Sequence, residues 1–483
     1  MIDRCDILLV NTNRMTPPIA PIGLDYLAAA LRKAGLGVRL LDLAFERKPH
    51  QALRRTIKQI DPDVIGLSFR NTDDCYFSSQ ATFVPELVKL VRTIRRTAPD
   101  TETVLGGSGY AIFPEALLEA TGAEWGIVGD AEGVLPALLS CGWSGRPVSS
   151  IRGLVAHEPD GIVRRRPRFG SALSLGTDRS FVDNERYFRE GGQIGIETKR
   201  GCPNACVYCA DPVAKGHRVR VRSPQEVADE VAGLLDRGID VLHTCDAEFN
   251  IPADHAAAVC ERLIARRLGQ RVRWYAYCVP RPFDSRLAEL MARAGCVGVN
   301  VGADSGCAEQ LRRLGRNYGP NDLAAAVKHT KAAGMAVMVD LLLGGPGETP
   351  ATVAETIALL QSLPVDCVGA PVGVRLYPDT PLAKAVLAAG PMADNPHLHG
   401  ATKDNASLLK PVFYVDRALG DRPAELIVDL IAGDQRFFPP QASRDERDYN
   451  YNDNTVLAKA IAAGARGAYW HILHRLRTGD RDW

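Results

Sequence analysis

The strongest constraint on the fold is an alternation of short apolar segments with segments of helical periodicity, which runs through most of the 483 residues. In residues 1–148, apolar runs such as DILLVN (6–11) and DVIGLSF (63–69) are each followed by apolar residues at helical spacing. Continuous apolar runs of this length are typical of strands buried on both faces of a parallel sheet. The alternation predicts an N-terminal doubly wound α/β domain of about five parallel strands.

A second series of strand–helix units occupies residues 191–385. Six such units fit a partial (β/α)6 barrel of the TIM type, in which reactive residues lie at the carboxyl ends of the strands. Residues 149–190 read as a linker, and residues 386–483 form a C-terminal region with helical patterns. The sequence therefore predicts two α/β domains in series, followed by a helical tail.

Three cysteines follow the first strand of the second series. The segment KRGCPNACVYCADP (199–212) places Cys202, Cys206 and Cys209 in the spacing C-x3-C-x2-C. Three thiolates so close in sequence can ligate one iron–sulfur cube and leave one iron without a protein ligand. An open coordination position is where chemistry takes place at a metal site. Two alternatives stay open: a structural zinc site, for which no second ligand pair follows, and chance in a chain with 12 cysteines.

Polar residues at two further strand ends are candidates for the chemistry. Asp246 and Glu248 follow the second barrel strand, and they are either an acid/base pair, an anchor for a ligand's ammonium group, or N-capping residues of the next helix. Tyr277 and Cys278 end the third strand and are candidate catalytic residues, with Cys278 as a possible proton donor.

The cysteine pattern, with Tyr208 in the aromatic position of C-x3-C-x-aromatic-C, resembles the signature of the radical S-adenosylmethionine (SAM) enzymes. In that family the open iron binds the amino and carboxylate groups of SAM. The reduced cluster then cleaves SAM to a 5′-deoxyadenosyl radical. The resemblance implies a 4Fe–4S cluster held by the three cysteines, SAM as a second cofactor, and an external electron donor such as flavodoxin or ferredoxin.

Two later segments resemble SAM-binding motifs of the same family. GADSG (302–306) is similar to the fourth-strand segment whose acidic residue holds the SAM ribose, which implies this role for Asp304 beside Ser305. LLGGPGE (342–348) is similar to the fifth-strand segment against which adenine packs, and glycines there allow a flat ring to approach the backbone. The glycines concerned are Gly344, Gly345 and Gly347.

The N-terminal domain resembles the cobalamin-binding domain that precedes the radical SAM core in one subfamily. The matching features are PIGLDYLAAAL (21–31), LGGSG (105–109) and GDAE (129–132), and RLYPDTPL (375–382) resembles the sixth-strand end of that subfamily. The resemblance implies cobalamin as a third cofactor. The implied cofactor contacts at the strand ends are Ser68, Gly106, Gly107 and Arg375.

One cobalamin feature is absent from the sequence. The D-x-H-x-x-G motif that supplies an axial histidine to cobalt does not occur, and His50, the only histidine before residue 157, lies on a polar turn. Two interpretations stay open: the domain holds cobalamin without a protein imidazole, or it only shields the barrel or binds substrate.

Composition narrows the class of protein. The chain is 46% hydrophobic and 24% charged, as soluble globular proteins are, and its net charge of +1 gives no reason to expect nucleic-acid or membrane binding. We expect a small-molecule substrate. No signal peptide or apolar run of about 18 residues is present, and reduced cysteines favour the cytoplasm.

The leading hypothesis is a cobalamin-dependent radical SAM methyltransferase that methylates an unactivated carbon of a small molecule. A radical SAM rearrangement, cyclisation, oxidation or SAM-fragment transfer without methyl transfer is the first alternative. A methylthiotransferase is another, and it would need a second cluster built from Cys5, Cys75 and Cys141. A non-enzymatic corrinoid or cluster sensor is the last.

Overall fold

In the computed structural model, the N-terminal part of the chain folds around one sheet. The structure describes residues 5–144, 150–167, 169–170, 173–440 and 445–481, without the side chains of 141–144. The strands are β1 (Ile7–Asn11), β2 (Val38–Asp42), β3 (Val64–Ser68), β4 (Glu102–Gly106), β5 (Trp125–Ile127), β6 (Leu154–Glu158) and β7 (Gly161–Arg164). The helices are α1 (Ile22–Lys33), α2 (Pro49–Ile60), α3 (Val84–Thr97), α4 (Ser108–Ile112), α5 (Pro114–Thr121) and α6 (Ala131–Ser144).

The order of this sheet is β2-β1-β3-β4-β5-β6-β7. The first five strands are parallel, and β6 and β7 add an antiparallel hairpin from the segment that the sequence suggests is a linker. Apolar residues of α1 and α6 pack on one face, and those of α2, α3 and α5 pack on the other. The predicted doubly wound parallel sheet is therefore confirmed.

The rest of the chain builds a half-closed barrel and its covering elements. Its strands are β8 (Ile194–Ile196), β9 (Lys199–Arg200), β10 (Arg220–Val221), β11 (Val241–Thr244), β12 (Arg273–Cys278), β13 (Cys296–Asp304), β14 (Ala336–Leu341), β15 (Cys367–Gly369), β16 (Val374–Arg375), β17 (Leu398–Gly400), β18 (Val412–Tyr414) and β19 (Phe437–Phe438). Its helices are α7 (Asn184–Gly191), α8 (Asp211–Lys215), α9 (Pro224–Asp236), α10 (Ala253–Ala265), α11 (Ser285–Arg293), α12 (Ala308–Arg313), α13 (Pro320–Ala332), α14 (Pro350–Ser362), α15 (Pro381–Ala388), α16 (Pro423–Ile431), α17 (Thr455–Ala462) and α18 (Tyr469–Thr478).

The barrel sheet has the order β19-β15-β14-β13-β12-β11-β8, and all its strand pairs are parallel. Six strands come from the predicted strand–helix units, which confirms the partial barrel. The seventh, β19, comes from the C-terminal region, which carries the short strands β17 and β18 as well as the predicted helices. In the part of the chain that the structure describes, no helix has the length and apolar character needed to cross a bilayer.

Alternate side chains of the barrel strands face opposite sides, as the period of a strand requires. One side packs against the surrounding helices, with Leu242, Ala276 and Val339 in that core. The other side faces the barrel interior, where α17 and α18 fill the space. The strand residues in this interior apolar layer are Val241, Tyr275, Met338, Cys367 and Phe438.

Candidate active site

A cavity of about 790 Å³ lies between the carboxyl edge of the N-terminal sheet and the mouth of the barrel. Ser68, Gly106 and Gly107 line it from the N-terminal sheet, whereas Asp246 and Tyr277 line it from the barrel. Domain interfaces and the carboxyl ends of parallel strands are both common ligand sites. The cavity therefore lies where the two predicted sets of cofactor residues meet.

The cysteine loop begins directly after β9. Gly201 has a φ of 88°, and a side chain there would collide with the backbone of Arg218, so the loop requires glycine at this point. Cys202 and Cys206 are buried, and Cys209 is half-buried. Burial raises the pKa of the Cys206 thiol to about 11 and that of Cys209 to about 12, and the neighbouring cysteines add to the rise.

These pKa values describe thiols that need a positive partner before they ionise. A coordinated metal displaces the thiol proton. Metal binding would therefore convert to thiolates the cysteine side chains that burial otherwise keeps protonated. Three such thiols on one buried loop fit an iron–sulfur cluster with an open iron.

Tyr208, in the aromatic position of the motif, connects the loop to β13. Its hydroxyl donates to the carboxylate of Asp304 over 2.7 Å, and Arg316 Nε donates to the same oxygen over 2.5 Å. Arg316 Nη2 also donates to the Tyr208 hydroxyl over 2.8 Å. Sequence reasoning missed Arg316, although the arginine-rich turn LRRLGRNYG (311–319) was available as a signal.

Asp246 anchors the strand that leads into the cysteine loop. Its carboxylate accepts hydrogen bonds from the Thr198 amide (2.8 Å), the Thr198 hydroxyl (2.6 Å) and the Lys199 amide (3.1 Å). The N-cap of α10 is Pro252, which makes no side-chain cap. The N-capping interpretation of Asp246 and Glu248 was therefore wrong, because the helix begins several residues later.

Glu248 lies close enough to the cysteine loop for its charge to raise the pKa of the Cys202 and Cys206 thiols. Burial raises the pKa of its carboxyl to about 8, and the charges of Arg316 and Lys199 lower it only in part. Its Oε2 atom is buried without a hydrogen-bond partner among the described residues. The carboxyl is thus placed to meet a polar or charged group that those residues do not supply.

The glycine-rich turn after β14 is organised by its own glutamate. Glu348 accepts hydrogen bonds from the amides of Gly344 (2.6 Å) and Gly345 (3.2 Å). Gly344 and Gly347 have positive φ values, 91° and 74°, so the turn depends on glycine at both positions. Ser305 is buried behind β13 and bonds the Thr356 hydroxyl over 2.9 Å.

Replacing Glu348 by glutamine is expected to change how stability depends on pH. Burial raises the pKa of the Glu348 carboxyl to about 7 from its ordinary 4.5, so the folded state binds more protons than the unfolded state between those values. Stability of the native protein then falls as pH rises from about 4.5 to about 7, by roughly 3 kcal/mol. Glu248 and Asp340, whose carboxyl pKa values are also raised, contribute further losses of stability in the same pH range. Urea unfolding at pH 4.5 and pH 8, without added SAM, should therefore show a loss that is about 3 kcal/mol smaller in Glu348→Gln than in the native protein. Glu425→Gln, at a carboxylate 52% exposed, is the control.

Tyr277 and Cys278 face opposite sides of β12. The Tyr277 side chain is 38% exposed and lines the cavity. Cys278 is fully buried in the core between the barrel wall and its helices. The structure therefore brings Tyr277 to the cavity and does not bring Cys278 there, because successive residues of a strand alternate in direction.

Arg375 joins the two domains and does not line the cavity. Its guanidinium donates to Asp73 Oδ2 over 3.1 and 3.0 Å, and both side chains are buried. Nearby, the Cys75 thiol and the Tyr377 hydroxyl are 2.9 Å apart. The prediction that Arg375 ends the sixth barrel strand is wrong, because the sixth strand is β15 and Arg375 lies on β16, which pairs with β18 in a separate antiparallel sheet. The segment after β15 thus connects the barrel to the segment after β3.

A second cysteine cluster in the N-terminal domain is not supported by the geometry. Cys5 precedes β1 and Cys75 follows β3, so the parallel strands place them at opposite edges of the sheet. The side chain of Cys141 lies outside the described part of the chain. The methylthiotransferase alternative loses its required ligands for this reason.

Glycines form part of the N-terminal edge of the cavity. Gly107 has a φ of 101°, and a side chain there would approach the Phe69 carbonyl oxygen to 2.5 Å, whereas a side chain at Gly106 would enter open space. This cradle of backbone and glycine fits the approach of a large flat ring. His50 bonds Thr93 (3.0 Å) and Glu86 (2.9 Å), so the structure gives it no place at this edge.

Comparison with known proteins gives a consistent result. The radical SAM superfamily profile matches residues 196–360, and the B12 binding domain profile matches residues 9–139. The chain is 30% identical to the tryptophan 2-C-methyltransferase of Streptomyces laurentii, over 97% of this chain and 96% of that one. It is 27% identical to the cytidylyl-2-hydroxyethylphosphonate methyltransferase of Streptomyces wedmorensis, over 68% and 69% of the two chains.

Solved structures agree. The radical SAM methyltransferase TsrM from Kitasatospora setae, with tryptophan and a SAM analog bound, matches with a TM-score of 0.90 and 32% identity over 98% of both chains. The same enzyme with cobalamin and a [4Fe–4S] cluster bound matches with a TM-score of 0.88. The cobalamin-dependent enzyme OxsB shares the fold at 16% identity and a TM-score of 0.72.

The fold, the cysteine loop and these matches define the class: the chain belongs to the radical SAM superfamily. Within it, the B12 binding domain and the full-length relatives place the chain among the cobalamin-dependent radical SAM methyltransferases. It is therefore an enzyme, its cofactors are a 4Fe–4S cluster, SAM and cobalamin, and its substrate is a small molecule. The predicted C-methylation by way of the 5′-deoxyadenosyl radical is consistent with this family.

Proposed function

We propose that this enzyme transfers a methyl group from SAM to a ring carbon of tryptophan or a closely related aromatic amino acid. The observation that carries the proposal is the aromatic wall of the cavity on its barrel side, formed by Tyr277, Tyr451, Tyr469 and Trp470. Such rings stack on a flat aromatic substrate and exclude water from it. The relative named a tryptophan 2-C-methyltransferase, similar over nearly its whole length, supports the same substrate class.

Residues at or after the carboxyl ends of strands in the two domains would hold the three cofactors. We assign the cluster to Cys202, Cys206 and Cys209, the SAM ribose to Asp304 with its partners Tyr208 and Arg316, and adenine to the turn that Glu348 holds. Ser68, Gly106 and Gly107 would support the corrinoid. When bound, the cluster and SAM supply the radical chemistry, and cobalamin carries the methyl group. The chain would hold these groups between the strand ends of its two domains and exclude water from them.

Each part of the chain has a role in the proposed function. Residues 1–148 would hold the corrinoid, residues 191–385 the cluster and SAM, and residues 386–483 would close the substrate side, with 149–190 as the connection. Flavodoxin or ferredoxin would deliver electrons to the cluster in the cytoplasm. The net charge of +1 supports a small molecule as the target and no nucleic-acid or membrane partner.

The test is methyl transfer by enzyme reconstituted anaerobically with iron, sulfide and cobalamin. With SAM labelled in its methyl group and L-tryptophan, we expect label in the amino acid and one S-adenosylhomocysteine for each methyl group. Deoxyadenosine, measured in the same samples, reports the route. An aromatic ring carbon can lose its hydrogen as a proton, whereas a saturated carbon requires hydrogen-atom abstraction. A fully loaded enzyme that labels no aromatic amino acid would contradict the proposal.

A further inference from the structure

A polar layer lies above the apolar layer of the barrel interior, closer to the cavity. His243, Tyr277, Asn300 and Asp340 belong to it, and three of them stand two residues after a member of the apolar layer on the same strand. A separation of two places them on the same, interior face. The rings of His243 and Tyr277 are 5.0 Å apart. One carboxylate, that of Asp340, is therefore part of the interior surface beside the cavity.

The C-terminal region encloses this carboxylate with aromatic rings. The Tyr449 hydroxyl donates a hydrogen bond to Asp340 Oδ1, and Tyr449 packs edge-on against Tyr451 at 5.3 Å. Tyr451 in turn packs against Tyr469 at 5.5 Å. Tyr277 and Tyr451 line the cavity, and the half-buried Asp340 carboxylate lies close to both rings.

The charge of Asp340 has no counter-ion among the residues that the structure describes. Three buried carboxylates pair with a guanidinium, Asp25 with Arg179, Asp73 with Arg375, and Asp304 with Arg316, whereas the half-buried Asp340 does not. No Lys or Arg in the described part of the chain forms such a pair with Asp340. Burial consequently raises the pKa of the Asp340 carboxyl to about 6, and hydrogen bonds from Tyr449 and Asn300 lower it only in part.

Two further polar atoms beside Asp340 are also unmatched. Asn300 is 2% exposed, and its Oδ1 atom has no hydrogen-bond partner in the described chain. The Tyr451 hydroxyl is likewise buried without a partner there. A carboxylate, an amide oxygen and a hydroxyl are acceptors, and a cationic N–H donor satisfies all three.

We infer that Asp340, with Asn300 and the rings of Tyr277, Tyr449 and Tyr451, binds the ammonium group of the substrate. A carboxylate supplies the charge, and tyrosine faces add attraction for a cation. The substrate class is then narrowed to aromatic compounds with a primary amine, and Asp340 selects for that amine. This inference rests on the proposed aromatic substrate. It adds Asp340 as the residue by which the enzyme distinguishes aromatic compounds that carry an amine from those that do not.

The test compares three ligands with the holoenzyme under anaerobic conditions: L-tryptophan, tryptamine without the carboxylate, and indole-3-propionic acid without the amine. In the native enzyme we expect indole-3-propionic acid to bind at least about tenfold more weakly than tryptophan. Asp340→Asn should weaken tryptophan and tryptamine binding by about 10- to 100-fold and leave indole-3-propionic acid unchanged or tighter. Tyr449→Phe, which keeps the carboxylate, should retain the discrimination.

Several outcomes would overturn the inference. Equal affinity of the native enzyme for tryptophan and indole-3-propionic acid would do so without any variant, as would binding of none of the three ligands. An equal loss of affinity for all three ligands in Asp340→Asn and Tyr449→Phe would mean that the Asp340–Tyr449 pair only holds the C-terminal region in place.

Unchanged tryptophan methylation in Asp340→Asn would contradict the inference and leave the proposed function intact. Amine binding that depends on Asp340 without tryptophan methylation supports the inference and sinks the function. Iron content, cobalamin content and thermal unfolding, with Glu425→Gln as control, show whether the variants fold.

Discussion

Replacing Cys202, Cys206 and Cys209 together by alanine is expected to remove the iron–sulfur cluster and to abolish methyl transfer. Iron and sulfide in anaerobically reconstituted protein should fall from about four of each per chain to none, because no other ligand set is assigned to the cube. Ser68, Gly106 and Gly107, the residues assigned to the corrinoid, lie outside this loop, so cobalamin uptake should persist. The measurements are iron, sulfide and cobalamin content, with release of S-adenosylhomocysteine as the activity readout.

The control is a triple replacement of three other buried cysteines. Cys260, Cys296 and Cys307 are 0%, 3% and 4% exposed and lie outside the cysteine loop. Their replacement by alanine removes a similar amount of buried sulfur and costs some stability, while the iron content should stay that of the native enzyme. A loss of iron in the control, or a full cluster in the loop variant, would show that Cys202, Cys206 and Cys209 do not hold the cluster.

The sequence predicted the two sheets and the two motifs because each depends on residues that are close together in the chain. The strand–helix alternation predicted both sheets because each unit buries its own apolar face against its neighbours. The motif around Cys202 is one unbroken stretch of sequence, and so is the GADSG segment. The spacing of residues within each motif is therefore visible in the sequence. The strand β19 escaped prediction because it is two residues long and pairs with β15, far earlier in the chain. Residues 437–438 form a strand only because the folded chain pairs them with β15.

The site was predicted less completely because it depends on which face each side chain occupies. Tyr277 and Cys278 are adjacent in sequence, yet one lines the cavity and the other lies in the core. Arg316 reaches Asp304 from a turn that carries three arginines, and the sequence does not say which of them turns inward. The contact of Tyr449 with Asp340 spans 109 residues. Such contacts follow from tertiary packing, which no local period encodes.

The second large effect concerns the buried ionic network that joins α1 to the barrel, here called the Arg179 network: Arg179, Asp25, Glu230, Arg222 and Tyr26. Arg179 donates to Asp25 over 2.8 Å and to Glu230 over 2.7 Å, and Arg222 lies 2.6 Å from Glu230. The side chains of Asp25 and Glu230 are fully buried, and that of Arg179 is 2% exposed. Because Asp25 belongs to α1 and Glu230 to α9, the network fixes the N-terminal sheet over the barrel.

Asp25→Ala is expected to lower the free energy of unfolding by about 3–5 kcal/mol, because the buried Arg179 guanidinium then loses one of its two carboxylate partners and keeps only Glu230, which it shares with Arg222. The Asp25 carboxylate also accepts from the Val182 amide (2.8 Å), which would lose its acceptor, and from Asn184 Nδ2 (2.7 Å), which would keep the carbonyl oxygens of Arg179 and Val182. Urea unfolding measures the loss of stability.

The double variant Asp25→Leu with Arg179→Met, which removes both charges, should recover part of the lost free energy of unfolding. Arg422→Ala breaks an exposed pair with Glu425 at 2.8 Å and should cost no more than about 1 kcal/mol. If Asp25→Ala costs no more than Arg422→Ala, the Arg179 network does not hold the two domains together, and the cavity between them must owe its shape to other contacts.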